Sequence, residues 1–110
     1  MSELGILFWL VVAHAVCDYP LQGDFLAKAK NHKAPIPGVD WWIALGAHSA
    51  IHAGAVALVT GNIVWGVAEF AVHFVIDHMK CAGVFGFRTD QILHISTKVA
   101  IWVAIIGARP

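Results

Sequence analysis

The sequence predicts an all-α integral membrane bundle of about four transmembrane helices, and three observations carry that expectation. Hydrophobic residues make up 59% of the chain and charged residues 13%, where an ordinary soluble domain has about 45–50% and about 25%. The mean hydropathy is +0.73. Apolar stretches of about 17–20 residues recur along the chain, each just long enough to cross a hydrocarbon core of about 30 Å. With 110 residues, the chain forms one unit. A formal net charge of zero removes the basic footprint of a nucleic-acid binder, so no nucleic-acid partner is expected.

The first helix is expected at about 3–19, where Pro20 stops it because proline lacks an amide donor and clashes with the preceding turn. Its apolar start resembles a signal peptide, but Glu3 stands where a basic region belongs, so it reads as a retained helix. Residues 21–39 read as a polar cytoplasmic loop with Lys28, Lys30 and Lys33, broken at Pro35, Pro37 and Gly38. Asp40 is the expected N-cap of a helix over 41–60, whose Trp41 and Trp42 suit a membrane boundary. Gly61 and Asn62 turn the chain into a helix over 63–79. The stretch CAGVFGFR then leads to a last helix over 90–107. Cys17 and Cys81 form no spaced framework and read as small apolar residues.

This order places the end of the first helix, the start of the second, the end of the third and the start of the fourth on one side. That side carries Lys28, Lys30, Lys33, Lys80 and Arg88, against Arg109 on the other. By the positive-inside rule it faces the cytoplasm, leaving both termini outside an inner membrane. Small residues at Gly46, Ala47, Ala50, Ala53 and Gly54 permit close packing, within one subunit or across a homodimer.

The chemistry lies in seven histidines and seven acidic residues. Five pairs among them sit four apart: His14/Asp18, His48/His52, Glu69/His73, His73/Asp77 and Asp90/His94. Random placement gives about 1.7. Residues at i and i+4 project from one helix face, so both can donate to one ion. All nine residues also fall in the cytoplasmic half of their helices, and an ionisable group in hydrocarbon is costly unless paired or coordinated. Imidazole with carboxylate suits zinc, iron or manganese. Nine donors exceed what one tetrahedral ion uses, so one or two ions are expected, with Glu69 or Asp77 as the bridge between two. His32 and His78 read as interfacial and are left out. Lys98 shares the Asp90/His94 stripe, where it pairs with a carboxylate or holds an anionic substrate.

The segments HAVCDYPLQ, HSAIH, EFAVHFVIDHMK and DQILH together resemble an uncharacterised family of small polytopic membrane proteins of bacteria and phages, grouped as a domain of unknown function. The resemblance rests on His14, Asp18, Leu21, Gln22, His48, His52, Glu69, His73, Asp77, Lys80, Asp90, Gln91 and His94. It implies no reaction.

The residues themselves lead to a membrane-embedded metal-dependent hydrolase acting on a phosphate-bearing or lipid-like substrate at the cytoplasmic face. In it Glu69 shuttles a proton, Lys98 assists, and Gln22, Gln91 and Lys98 orient the substrate. The alternatives are a non-haem di-iron or haem redox protein, a proton or metal-ion transporter, and a structural membrane protein.

Overall fold

The computed structural model describes residues 1–109, which fold into five helices: α1 (Glu3–Asp18), α2 (Gly23–Ala29), α3 (Trp41–Thr60), α4 (Ile63–Cys81) and α5 (Phe87–Gly107). No strand occurs among the described residues. Ser2 caps α1, its hydroxyl accepting from the Gly5 amide at 3.0 Å. Asn62 caps α4 by accepting from the Val64 amide at 2.9 Å. Asp40 stands at the N-cap of α3 with extended backbone but makes no capping bond through its side chain.

The composition reads residues 21–39 as loop, yet part of that stretch is the helix α2. Gly23, at φ +67°, turns the chain after Pro20. The seven residues GDFLAKA then wind against α3, burying Ala29 and, just beyond it, Lys30. The bend between α1 and α2 is 83°.

Gly61, at φ +68°, closes α3 and returns the chain into α4. The two helices nearly touch at Gly66, where a Cβ would lie 2.8 Å from the Ala53 carbonyl oxygen and 2.9 Å from the Ala57 Cβ. α1 packs on α3, and α5 packs on both α1 and α4. The Trp102 indole ties α5 back to the start of α1 by donating to the Glu3 carbonyl at 2.7 Å.

The interior divides by chemistry along the bundle. At one end Ile6, Leu10, Val56 and Ile101 form an apolar core with Trp65 and Trp102 against it. Toward the other end the polar side chains gather, with Cys17, Ala29, Ala44 and Leu45 buried alongside them; among all the described residues eleven polar or charged side chains are buried against eight apolar ones. Leu58, Ile63 and Leu4 are instead 86%, 76% and 72% exposed. α3 is long and apolar enough to cross a membrane by itself. α1 and α2 pass the same test only when joined across their bend. α4 and α5 carry Glu69, Asp77, Lys80, Arg88, Asp90 and Lys98 within their lengths.

Candidate metal centre

Helical spacing sets up the site. His48 and His52 share a face of α3 one turn apart, Asp18 closes α1, and His73 sits mid-way along α4, so three helices deliver donors to one place. One donor atom from each of Asp18, His48, His52 and His73 lies within 4.8 Å of all the others. His48 and His73 are fully buried, His52 nearly so, and the Asp18 side chain is 10% exposed.

The separations resemble the edges of a coordination polyhedron. Asp18 Oδ1 lies 3.3 Å from His48 Nε2 and 3.2 Å from His52 Nε2, and Asp77 Oδ2 lies 3.5 Å from His48 Nε2. A tetrahedron with metal–ligand bonds of about 2.0–2.1 Å has edges of about 3.3–3.4 Å. Both nitrogens of His48 and Nε2 of His73 are buried without a hydrogen-bond partner. Such orphaned lone pairs are costly, and a divalent cation satisfies several at once. The donor set therefore fits an ion.

Surrounding residues orient these donors. Glu69 Oε1 faces His73 Nδ1 at 3.2 Å and is also bonded by the Lys98 ammonium. An ionised carboxylate only accepts, so His73 Nδ1 carries the proton and Nε2 keeps its lone pair. This carboxylate–histidine arrangement aims a ligand at a metal. Asp77 is held by Lys30 at 2.7 Å. Lys30 also bonds Gln22 Oε1, and Gln22 Nε2 donates to the Asp18 carbonyl at 3.0 Å. The Gln91 amide donates to Asp18 Oδ2 at 2.8 Å and to Asp90 Oδ2 at 3.1 Å. Its oxygen faces His14 Nε2 at 3.0 Å. The rings of His52 and His73 stack 3.8 Å apart, and those of His73 and His94 4.1 Å apart.

The candidate metal, catalytic and substrate residues read from the sequence thus meet in one polar interior, in distinct places, whereas Leu21 and Lys80 of the family pattern lie outside it. Asp18, His48, His52 and His73 converge. Asp77 borders them, Glu69 and Lys98 stand behind His73, and His14, Asp90, Gln91 and His94 lie on the other side of Asp18. Lys98 bonds Glu69, the carboxylate-paired alternative rather than the substrate-facing one. The residue that sequence reasoning missed is Lys30, which stood among the loop lysines. Its signal was the charge count: four carboxylates in the cluster against Lys98 as the single interior cation. His32 and His78 lie outside the cluster and stack on each other at 4.2 Å, with Trp41 5.0 Å from His78.

Two apolar cavities, of about 340 and 380 Å³, flank α3, and neither is lined by any of the four converging residues.

A family model described as a protein of unknown function (DUF3307) matches residues 6–109. The comparison with curated proteins gives no match, and neither does that with solved structures.

Proposed function

We propose, for a chain that belongs to the DUF3307 family of proteins of unknown function, that it is an integral membrane metalloprotein hydrolysing a phosphate-bearing or lipid-like substrate at the cytoplasmic membrane face. The observation that carries this reading is the meeting of Asp18, His48, His52 and His73 within 4.8 Å in a buried interior.

The membrane part rests on an inverted distribution of polarity. Glu69, Asp77, Asp90 and Lys98 lower the average hydropathy of α4 and α5, but all four point inward. The outward residues of those helices include Val67, Val72, Val75, Ile92, Val99 and Val103. A bundle with charges inside and aliphatic side chains outside suits hydrocarbon as its solvent. Lys28, Lys33, Lys80 and Arg88 cluster at the end where α1 stops and α3 starts, which supports a cytoplasmic orientation for the site.

A divalent ion at this set supplies Lewis acidity and an activated water. The chain's residues would do the rest. Asp18 is the corner of the site nearest the outside. Glu69, fixed by Lys98, acts through His73 and is a positioning residue in this reading. Lys30 and Gln22 close the site between α1, α2 and α4, where they would meet an anionic substrate group.

Elemental analysis of detergent-purified protein, with no metal added, tests the reading beside a His48→Ala/His73→Ala double variant. About one ion per chain or more, lost in the variant together with hydrolysis of phosphate-ester substrates, supports it. Absence of metal from both samples, with unstripped handling verified, refutes it.

A second reading, a metal staple without catalysis, is favoured by the number of donors, since four protein ligands suffice for a closed structural site, and by the fact that neither cavity is lined by them. A bound ion whose removal lowers the unfolding temperature, in protein with no hydrolytic turnover, selects the staple.

A further inference from the structure

We infer that the cluster seats two ions, with Asp18 bridging them and the second held by His14, Asp90 and His94. This rests on the reading that Asp18, His48, His52 and His73 hold a metal. The sequence offered Glu69 or Asp77 as the bridge. In the structure Glu69 stands behind His73, giving Oε1 to His73 Nδ1 and Lys98 and leaving Oε2 buried without a partner, and Asp77 Oδ2 is held by Lys30.

Asp18 divides its two oxygens between two sets of donors. Oδ1 faces His48 Nε2 at 3.3 Å and His52 Nε2 at 3.2 Å. Oδ2 faces the opposite set, His14 Nε2 at 3.5 Å and the Gln91 amide at 2.8 Å. A carboxylate that gives one oxygen to each of two ions suits the separation of about 3.5–4 Å found in two-metal sites.

The second seat has one unpaired donor of its own, Asp90 Oδ1. Asp90 Oδ1 lies 3.2 Å from His94 Nε2, yet it is buried without a hydrogen-bond partner, so the two atoms sit at a ligand–ligand distance without bonding each other. His14 and His94 turn Nε2 toward Asp18 and Asp90, respectively, and these are the nitrogens that would ligate there. The His14, Asp90 and His94 side chains are 3%, 4% and 2% exposed, so bulk solvent does not reach them.

The Gln91 amide marks the position of the charge. One nitrogen donates to a carboxylate oxygen of both Asp18 and Asp90, as a cation between two acids would. An ion entering there replaces the amide nitrogen as the partner of both carboxylates. The mixed His/carboxylate donors suit manganese, iron or zinc.

The test loads wild type, Asp90→Asn and His48→Ala with Mn²⁺ alone, then combines elemental analysis with electron paramagnetic resonance after gel filtration. Wild type should hold about two ions per chain with a spin-coupled signal. Asp90→Asn, an isosteric change that retains the helix content, should hold about one ion with an uncoupled six-line signal. His48→Ala should lose the ion that Asp90→Asn keeps. A single ion in both wild type and Asp90→Asn overturns the second seat and leaves the first intact. Two uncoupled ions in wild type overturn the bridge. No ion in any sample overturns the metalloprotein reading itself.

Discussion

The two ends of the bundle solve opposite problems with the same helices. At the apolar end, Ile6, Leu10, Val56 and Ile101 interlock, and the atoms they bury need no partner. At the polar end, His14, His48, His73, Asp90 and His94 bury atoms left without a hydrogen bond. Each such atom costs about 1–3 kcal/mol of desolvation. The first region holds the helices together, and the second uses that stability to keep donors poised. The difference teaches where the stability of the bundle is made and where it is spent, and unpaired buried atoms of this kind are what the proposed metal would satisfy.

The harshest way to break the comparison is to unbalance the polar end. Lys98→Met leaves Glu69 buried without its cation, a loss expected to cost about 3–5 kcal/mol. Thermal unfolding in detergent measures it, and adding Glu69→Gln should restore a good part. If the single change were as mild as the double, the pair would not be the electrostatic unit described. The apolar end yields a smaller and chemically silent loss. Leu10→Ala opens a cavity beneath α3 and α5 and should cost about 2–3 kcal/mol, with metal content unchanged by elemental analysis. Metal loss in that variant would mean that the two ends are not separable.

His48→Leu sharpens the contrast by dividing the two properties. It removes two unpaired buried nitrogens and a proposed ligand, so metal content should fall while metal-free stability holds or rises by about 1 kcal/mol. A metal-free protein destabilised by the change would show instead that His48 is a structural residue.

This division also explains what was legible in the sequence. Span-length apolar stretches brought out α1, α3 and most of α4 and α5, because Pro20, Gly61 and Asn62 punctuate the chain by local rules. The i and i+4 pairs named nine residues of the polar interior, since that pattern depends only on helix geometry, while Lys98 and Gln91 were read by their nearness to Asp90 and His94 and the buried Ser49 and Lys30 were not singled out. α2 and Lys30 escaped because a short helix laid across α3 has no span-length pattern. Its lysine is indistinguishable from Lys28 and Lys33 until the fold sets it against Asp77. The roles of Glu69 and Asp18 escaped as well. Spacing puts Glu69 and His73 on one face, but only the three-dimensional packing shows Glu69 behind His73 and Asp18 with its oxygens turned to two sides.

The smallest expected effect lies outside both ends, at the stack of His32, His78 and Trp41. Partial burial pushes the His32 imidazole below its ordinary value of 6.5, and the nearby His78 and Lys33 push it further the same way. The folded protein then binds fewer protons at His32 than the unfolded chain does. The stack's contribution to stability is therefore complete above pH 6.5 and declines as pH falls from 6.5 through the lowered folded value. Nuclear magnetic resonance of the imidazole carbon-bound protons should place the His32 midpoint below 6.5. His78→Ala, which removes both the covering ring and a neighbouring charge, should move that midpoint back up. A midpoint that the substitution leaves in place would show that His78 neither covers nor repels His32, and that the stack does not couple the loop to α4.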